Sequence, residues 1–238
     1  MQTDISIIIP VLNEQDQICR ILSAIFQQAF PGKLEVIVVD GSKEGTTLCC
    51  IKNQAVIPLM SPPGRGCQMN SGARIACGRI LLFLHCDTRL PEGGLAAVQT
   101  VMQNPSVKAG AFDLSIDGKG LFYRMVERTA SVRSRLTKIP YGDQAIFIRK
   151  NYFHRMGQYR EIPIMEDVDL MQRIKQDNGR ITFLNTRVST SPRRWEEEGK
   201  VYGTLRNWVI SALYLLGTKP EKLAAVYKNF SGAPPGRQ

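Results

Sequence analysis

The chain has 238 residues, of which 43% are apolar and 22% charged, and this is enough for one large globular domain or two small ones. The formal net charge of +10 favours an anionic partner: a nucleotide, a phosphorylated substrate, nucleic acid or an anionic membrane surface. The six cysteines include no CxxC pair and only two histidines accompany them, which argues against a structural zinc site and favours reduced thiols in a cytoplasmic protein.

The first sixty residues predict the order strand, helix, strand, strand. The N-terminal segment MQTDISIIIP lacks the basic start and long apolar core of a signal peptide, and no later stretch has the length of a membrane span. Apolar runs without alternation at 5–11 and 34–39 predict strands that are buried on both faces of a sheet, and a weaker run at 56–60 predicts a further strand. Apolar residues at helical spacing predict a helix over 15–29, and the Pro-Gly pair that follows ends it.

The following segments continue this alternation. The loop PPGRG at 62–66 precedes a predicted helix over 67–77 and a buried strand over 80–84. Pro91 then begins a helix that is expected to reach 102. The alternation of strands and helices predicts an α/β fold with a mostly parallel sheet flanked by helices.

Polar residues follow three of the predicted strands at their carboxyl ends. Asn13 and Glu14 follow the first strand, Asp40 follows the second, and Asp87 follows the strand at 80–84. Because the carboxyl ends of parallel strands meet at one edge of a sheet, we expect these side chains to converge on one ligand crevice. Asp87 on its own fits a metal ligand and a helix cap equally well, and the convergence favours the ligand.

The sequence has no glycine-rich phosphate loop. Neither GxGxxG nor GxxxxGK[ST] occurs, so the dinucleotide fingerprint and the P-loop are both absent. A bound nucleotide would need another source of positive charge near its phosphates. A divalent metal on Asp87, helped by Arg65 or Arg74, would provide it.

The second half of the chain adds a predicted strand over 107–116 and a basic helix over 121–138. This helix fits either a solvated face or a contact with an anionic acceptor or membrane. Nucleic acid is not expected, because no aromatic platform accompanies the charge. The basic residues of the helix are Arg124, Arg128, Arg133, Arg135 and Lys138.

Two polar segments follow the basic helix. The loop YGDQ over 141–144 precedes a buried run over 145–148, and its Asp143 either hydrogen-bonds sugar hydroxyls or belongs to a plain turn. Glu166 and Asp167 open a helix that is expected to end at Asp177. The helix dipole alone favours acids at such a position, and a general base is the alternative. A short strand is predicted over 181–184.

The C-terminal region begins with Arg193, Arg194 and Trp195, which predict either a diphosphate clamp with a stacking tryptophan or an exposed basic loop. A strongly apolar helix over 203–216 fits packing on the sheet, self-association as a homodimer, or peripheral contact with a membrane, which would be the inner face for a cytoplasmic protein. The expected organisation is a catalytic domain over 1–191, a helical appendage over 192–230 and a disordered tail over 231–238.

Four segments resemble the N-terminal half of family 2 glycosyltransferases with the GT-A fold, in this order: IIIPVLNE, VIVVDGSKEGT, PPGRGCQMNSGARIACG and ILLFLHCDTRLP. The resemblance extends over residues 5–185. It implies a Rossmann-like, mostly parallel sheet and the inverting transfer of a hexosyl unit from a nucleotide-diphosphate sugar to an acceptor hydroxyl. The acceptor is open, and a lipid-linked or polysaccharide acceptor fits the basic charge and the apolar C-terminal helix.

The resemblance also implies site residues. Asp167, in the pair Glu166-Asp167, matches the catalytic base of the family's ED motif. Asp87 matches the last acid of the DxD motif that binds Mn²⁺ or Mg²⁺, and His85 stands in place of the first acid, as a second ligand or a close neighbour of the metal. The residues expected against the nucleotide sugar are Pro10, Asn13, Glu14, Asp40, Arg65, Gln68, Asn70, Cys86, Asp143, Arg193 and Arg194, with Asp40 on the base or ribose.

Two other functions are alternatives. A sugar nucleotidyltransferase would need a glycine-rich basic loop after the first strand, where this sequence has the acidic segment 13–16, NEQD. A non-catalytic module that binds a nucleotide sugar or a membrane surface would not need Glu166 and Asp167. Turnover and donor binding measured on an Asp167→Asn variant would separate these functions.

Overall fold

In the part of the chain that the computed structural model describes, residues 3–231, eight strands form one mixed sheet with helices on both of its faces. The strands are β1 (Ile5–Val11), β2 (Leu34–Asp40), β3 (Val56–Met60), β4 (Ile80–Phe83), β5 (Thr88–Arg89), β6 (Val107–Ile116), β7 (Phe147–Arg149) and β8 (Arg180–Thr190). The helices are α1 (Gln15–Phe26), α2 (Arg65–Ile75), α3 (Gly94–Val101), α4 (Leu121–Thr137), α5 (Lys150–Arg155), α6 (Glu166–Gln176), α7 (Arg193–Glu198), α8 (Lys200–Leu215) and α9 (Pro220–Ser231).

The sheet has the strand order β3-β2-β1-β4-β7-β6-β8-β5. Four pairings are parallel: β1 with β2, β1 with β4, β2 with β3, and β6 with β8. The other pairings are antiparallel, because β7 enters between β4 and β6 against both and β5 pairs against β8. The expected α/β class with a mostly parallel, Rossmann-like sheet is confirmed, and its parallel character is complete from β1 to β4.

Two apolar clusters cover the two faces of the sheet, because successive side chains of a strand point to opposite faces. Ile7 and Ile9 of β1 pack in one cluster with Ile18 of α1, together with residues of α3 and α4. Ile8 packs in the other cluster with Met69 of α2, together with residues of α5 and α6. Burial on both faces explains why β1 and β2 are mostly apolar in the sequence without a regular alternation of polar residues.

Strand β8 differs most from the sequence prediction, which had a short strand at 181–184. It continues to Thr190 and pairs with β6 as far as Ile116, beyond a shift in register. Residues 185–187 are exposed, so the apolar pattern breaks in the middle of the strand. Backbone hydrogen bonds to β6 therefore continue this strand past its apolar part. Such bonds do not depend on the side chains, so the sequence pattern does not reveal them.

Several helix boundaries also differ from the prediction, among them that of α8, which begins at Lys200 rather than at 203. Helix α1 ends at Phe26 rather than at 29, and α2 begins at Arg65 rather than at 67. Helix α3 begins at Gly94, because Pro91 lies in the turn before it and accepts the Gly94 N–H through its carbonyl. These shifts leave the polar residues at the strand ends unchanged.

The C-terminal helices α7 to α9 pack against the rest of the protein. Trp195 of α7 meets the ring of Tyr123 edge-on at a centroid distance of 6.4 Å. Ser211 of α8 accepts a hydrogen bond of 2.7 Å from the Tyr141 hydroxyl. The tail expected to be disordered lies outside the described residues, apart from Ser231 at the end of α9. Among residues 3–231 no helix has the length and apolar character needed to cross a membrane.

Candidate active site

The polar residues that follow β1, β2 and β4 lie close together at the carboxyl ends of these strands, and this region is called the crevice here. Asn13, after β1, adopts a left-handed conformation with φ 57°, which turns the chain into α1 and brings Glu14 to the sheet edge. Burial raises the pKa of Glu14, Arg193 opposes this shift, and the neighbouring Asp87 carboxylate adds to it. Glu14 and Asp87 therefore do lie near each other.

Asp40, the last residue of β2, is fully buried and organises the loop that follows it. Its two carboxylate oxygens accept the backbone N–H groups of Ser42 at 2.8 Å and Thr47 at 3.0 Å. The Thr47 hydroxyl in turn accepts the Glu14 N–H at 3.1 Å. Asp40 thus supports the backbone beside Glu14, and its direct contact with a base or ribose stays a prediction. Pro10 lies in β1 opposite Val39 of β2.

Two predicted ligands in α2 have their side chains bonded to the protein's own backbone. The Gln68 amide nitrogen donates to the carbonyl oxygens of Val11 at 2.7 Å and Val39 at 2.8 Å, which ties the ends of β1 and β2 together. The Asn70 side chain donates to the Tyr159 carbonyl and accepts the Tyr159 N–H. Both side chains are buried, so these contacts give them a structural role that their position in the sequence did not reveal.

The two arginines of α2 differ in their place relative to the crevice. Arg65, at the first turn, lies within electrostatic reach of Glu14, His85 and Glu166. Arg74 is exposed in the last turn, and Cys77 just beyond it donates its N–H to Glu35 near the start of β2. The suggestion that Arg74 neutralises phosphates is therefore wrong, because it lies at the opposite edge of the sheet.

The segment after β4 supplies His85, Cys86 and Asp87. Cys86 is 6% exposed and packs in the apolar cluster on the α1 face, and burial strongly raises the pKa of its thiol. Its side chain is therefore a neutral part of the core, and a contact with the nucleotide sugar would have to come from its backbone. Asp87 is half-buried, and its Oδ1 accepts the Thr88 hydroxyl at 3.2 Å.

His85 lies between Asp87 and the N-terminus of α6. Burial and the positive charge of Arg65 lower the pKa of His85 to about 3, against the opposing effect of Asp87, so the imidazole is neutral at physiological pH. A methyl group built on Gly142 would lie 2.8 Å from His85 Nε2 and 3.4 Å from Asp167 Oδ2. The imidazole, the Gly142 backbone and the Asp167 carboxylate thus meet at one point.

The residues near Asp87 fit a divalent metal that is shared with a diphosphate. Within residues 3–231 no group of three or more His, Cys, Asp or Glu side chains could hold a metal ion, so the protein does not form a complete cage by itself. Nucleotide sites typically hold Mg²⁺ through one or two carboxylates and the substrate phosphates, with water completing the shell. The half-buried Asp87 carboxylate with a neutral imidazole beside it matches this partial donor set.

Helix α6 presents its first two residues to the crevice. Asp167 Oδ2 accepts the Gly142 N–H at 2.6 Å, and its Oδ1 accepts the Val168 N–H at 2.7 Å. Glu166 is buried, and burial together with the neighbouring Asp167 raises the pKa of Glu166 to about 7 although Arg65 opposes the shift. A buried acid with such a raised pKa beside a second carboxylate is typical of a functional site rather than of a simple helix cap.

The loop before β7 joins this acidic pair. Burial raises the pKa of Asp143 to about 6, Arg133 opposes the shift, and the Asp167 carboxylate adds to it. Arg133 stacks its guanidinium 3.3 Å from the centroid of the Tyr141 ring at the start of the same loop. Sequence reasoning missed Gly142 as the donor to Asp167, and its only sequence signal was a glycine next to an acid in a short loop.

Helix α7 lies next to the crevice although it is far along the chain from β1, β2 and β4. Arg193 pairs with Glu14 at 3.3 Å, and Arg194 lies within electrostatic reach of Asp87 and Asp143. Trp195 points elsewhere, because it packs on Tyr123 and donates its indole N–H to Thr204 at 3.2 Å. The expectation that Trp195 stacks on a ligand is therefore wrong, whereas the two arginines lie beside Glu14, Asp87 and Asp143, and their contact with a diphosphate stays a prediction.

Comparisons with known proteins give the family and the fold. The profile of glycosyl transferase family 2 matches residues 6–161. TarS 1–349 of S. aureus has a TM-score of 0.65 at 17% identity, over 86% of this chain and 64% of that one. The mannosyltransferase PcManGT from Pyrobaculum calidifontis, in complex with GDP-Man and Mn²⁺, has a TM-score of 0.66 at 16% identity, over 97% of this chain and 70% of that one.

A third structure, TarS 1–349 in complex with UDP-GlcNAc, has a TM-score of 0.60 at 18% identity, over 79% of this chain and 58% of that one. This chain therefore spans less than two thirds of the length of the TarS structures. No curated protein sequence matches the chain. The family profile covers well over half of the residues, and the protein belongs to glycosyl transferase family 2.

Proposed function

We propose that the protein is an inverting glycosyltransferase that moves a sugar from a nucleotide-diphosphate sugar to an acceptor hydroxyl, with Asp167 as the general base and a divalent metal as cofactor. The observation that carries the proposal is the meeting of the Asp167 carboxylate with His85 and the Asp87 segment at one sheet edge. Related structures were solved with UDP, UDP-GlcNAc, or GDP-Man and Mn²⁺, which supports this donor class.

The proposed reaction is a direct displacement at the anomeric carbon. The acceptor oxygen forms a new bond to that carbon from the face opposite the diphosphate, and the carbon–oxygen bond to the diphosphate breaks with its electron pair on the leaving group. Asp167 takes the proton of the acceptor hydroxyl. The Gly142 and Val168 N–H groups fix the orientation of this carboxylate and leave further lone pairs on both oxygens for the proton.

The leaving diphosphate carries the developing negative charge. Arg65, Arg193 and Arg194 provide positive charge around the crevice from α2 and α7, where it acts in a partly water-excluded site. A divalent metal held by Asp87 with His85 would supply Lewis-acid stabilisation of the diphosphate when bound. Glu14 keeps Arg193 at the crevice through their ion pair.

We propose one catalytic unit whose main part spans residues 1–191. Residues 192–230 form its C-terminal helical segment. Contacts of α7 and α8 with Glu14, Tyr123 and Tyr141 support a segment that completes the crevice rather than an independent module.

Thermal unfolding in the presence of nucleotide-diphosphate sugars tests the donor and the metal. We expect UDP- or GDP-sugars to raise Tm by several degrees at a hundredfold excess over Kd, because ligand binding stabilises the native state by roughly 3 kcal/mol there. Mn²⁺ or Mg²⁺ should increase the shift, and Asp87→Asn should abolish that increase.

The matched control for this experiment is Asp117→Asn. Its side chain is 64% exposed and pairs with Arg89 away from the crevice, so the metal-dependent increase should survive. The absence of a shift with every nucleotide sugar would contradict the donor assignment. If the metal raised Tm equally in the Asp87 variant, Asp87 would not be the metal ligand, and the donor assignment would be unaffected.

Gly142→Ala tests whether the loop positions the base. The added methyl would lie too close to His85 Nε2, at 2.8 Å, so either the imidazole or the loop with its N–H to Asp167 must move. We expect kcat to fall roughly tenfold to hundredfold, as for other small displacements of a reacting group, with donor binding nearly unchanged. Steady-state transfer rates and a donor titration measure both quantities.

A second glycine serves as the control for this variant. Gly203→Ala in α8 would meet nothing closer than Glu198 Oε2 at 3.4 Å and should leave kcat within about twofold. A Gly142→Ala enzyme with unchanged kcat would mean that the Gly142 N–H does not hold Asp167 in the reacting position.

A further inference from the structure

Helix α4 exposes an apolar stripe on the side opposite the core. Its Tyr123, Val126 and Ser134 side chains are buried and fix the helix on the sheet. Four apolar side chains on the opposite side are 54 to 88% exposed, and they recur at helical spacing. They are Leu121, Met125, Val132 and Leu136.

Helix α8 exposes a second stripe of the same kind. Its buried side carries Gly203, Thr204, Arg206 and Ile210. The opposite side carries apolar and aromatic side chains, and several of them are more than half exposed. They are Val201, Tyr202, Leu205, Trp208, Val209, Leu215 and, just beyond the helix, Leu216.

The two helices lie side by side in the same chain direction. At the start of α8 the Lys200 ammonium lies 4.8 Å from the centroid of the Tyr123 ring near the start of α4. Further along, Ser211 of α8 binds Tyr141, and Arg133 near the end of α4 stacks on the same Tyr141 ring. On each helix the exposed stripe lies next to the side that faces the other helix, going around the helix away from the core. Both stripes therefore belong to one outer surface, called here the α4–α8 face.

The exposed charges on α4 and α8 themselves are all positive, whereas the preceding helix α7 exposes Glu196 and Glu197. The only acid in α4 is Glu127, which is buried and paired with Arg124 at 2.8 Å, and α8 contains no acid. Exposed cations flank both stripes along their length. They are Arg124, Arg128, Lys138, Lys200 and Lys219.

We propose that the α4–α8 face docks on an anionic lipid bilayer, with its apolar stripes at the acyl boundary and its cations on the lipid headgroups. Apolar faces with basic flanks and interfacial aromatic residues bind anionic membranes in this way. A second copy of the chain fits the face less well, because a symmetric contact would bring the exposed cations of α4 and α8 against each other, and these two helices themselves expose no acid. The docking goes beyond the proposed glycosyl transfer and does not depend on it.

Docking on this face would bring the bilayer next to the part of the crevice where Asp167 lies. Helix α4 leads directly into the loop that starts at Tyr141, and the second residue of that loop, Gly142, holds Asp167. Both stripes therefore border the segment that orients the carboxylate. A hydroxyl carried on a lipid headgroup would reach the crevice from this side.

Co-sedimentation of the full chain with vesicles tests the docking. We expect binding to vesicles of phosphatidylcholine mixed with phosphatidylglycerol, weaker binding at high salt, and little binding to phosphatidylcholine alone. The Leu121→Gln/Leu136→Gln double variant should lower the partition coefficient roughly tenfold or more, since both side chains are more than three-quarters exposed and carry the apolar contact. Arg128→Gln should lower it about fivefold.

Matched controls lie on other surfaces of the molecule. Ile75→Gln in α2 and Arg20→Gln in α1 replace an exposed apolar and an exposed basic residue, and neither should change the partition coefficient by more than about twofold. No binding to the anionic vesicles, or equal losses in the control variants, would overturn the docking. A dimer in sedimentation equilibrium that dissociates in the double variant would also overturn it and assign the face to a second copy.

Discussion

Asp167→Asn is expected to lower kcat by roughly two to four orders of magnitude while donor binding is retained. The amide has the shape of the carboxylate and can still accept one of the two backbone N–H groups that Asp167 binds, from Gly142 and Val168. It cannot take the proton of the acceptor hydroxyl. Loss of one hydrogen bond should cost only about 1 kcal/mol of stability, so the enzyme stays folded.

Transfer rates, a donor titration and urea unfolding on the same preparation distinguish the outcomes. Asp177→Asn is the control, because this residue follows the end of the same helix and binds Tyr152 far from the crevice. Turnover within a factor of a few of the parent enzyme would contradict the assignment of Asp167 as the base. Retained donor binding with lost turnover would exclude a protein that only binds nucleotide sugars.

Glu166→Gln is expected to raise the free energy of unfolding by up to about 3 kcal/mol at pH 8 and by less than about 1 kcal/mol at pH 5. Burial and the neighbouring Asp167 raise the pKa of Glu166 from 4.5 to about 7 in the folded protein. The native state therefore binds more protons than the unfolded state between these values, and stability falls as pH rises from about 4.5 to about 7. The pKa of Glu166 differs by about 2.5 units between the folded and the unfolded protein. At 1.36 kcal/mol per unit, this difference sets the upper limit of the stability change.

Urea unfolding at pH 5, 6, 7 and 8 measures this effect as the difference between the variant and the parent enzyme. The exposed Glu197 provides the control, and Glu197→Gln should change stability by less than about 0.5 kcal/mol across the range. A Glu166→Gln gain that is the same at every pH would contradict the titration of this buried acid. A loss of stability at pH 8 would mean that ionised Glu166 is well paired in the folded state.

Much of the fold was predictable because its central strands are buried on both faces. Runs such as 5–11 and 34–39 are apolar apart from Ser6 and Glu35, which bond to each other, and an acid follows each run within three residues. The antiparallel insertion of β7 was not predictable, since a three-residue strand has the same apolar pattern in either direction. Strand β8 was predicted only in part, because its exposed residues carry no apolar signal.

The site was predictable in its acids more than in its other residues. Glu14 and Asp87 were predicted from their position after strands and Asp167 from the resemblance, and the structure brings all three to the same region. Gln68, by contrast, could not be assigned from the sequence, because an amide in the first turns of a helix is equally suited to a ligand and to backbone carbonyls. Only the three-dimensional structure shows that it ties β1 to β2.

The ion pair between Arg193 and Glu14 joins residues that are 179 positions apart, and this separation bears on how the protein is made. A chain leaving the ribosome delivers the whole parallel part of the sheet before α7 exists. The acidic residues of the crevice are therefore in place early, and the cations of α7 join them only after most of the protein has been translated. A contact of such long range also forms late in refolding from denaturant, so the return of nucleotide affinity should lag behind the return of helical signal.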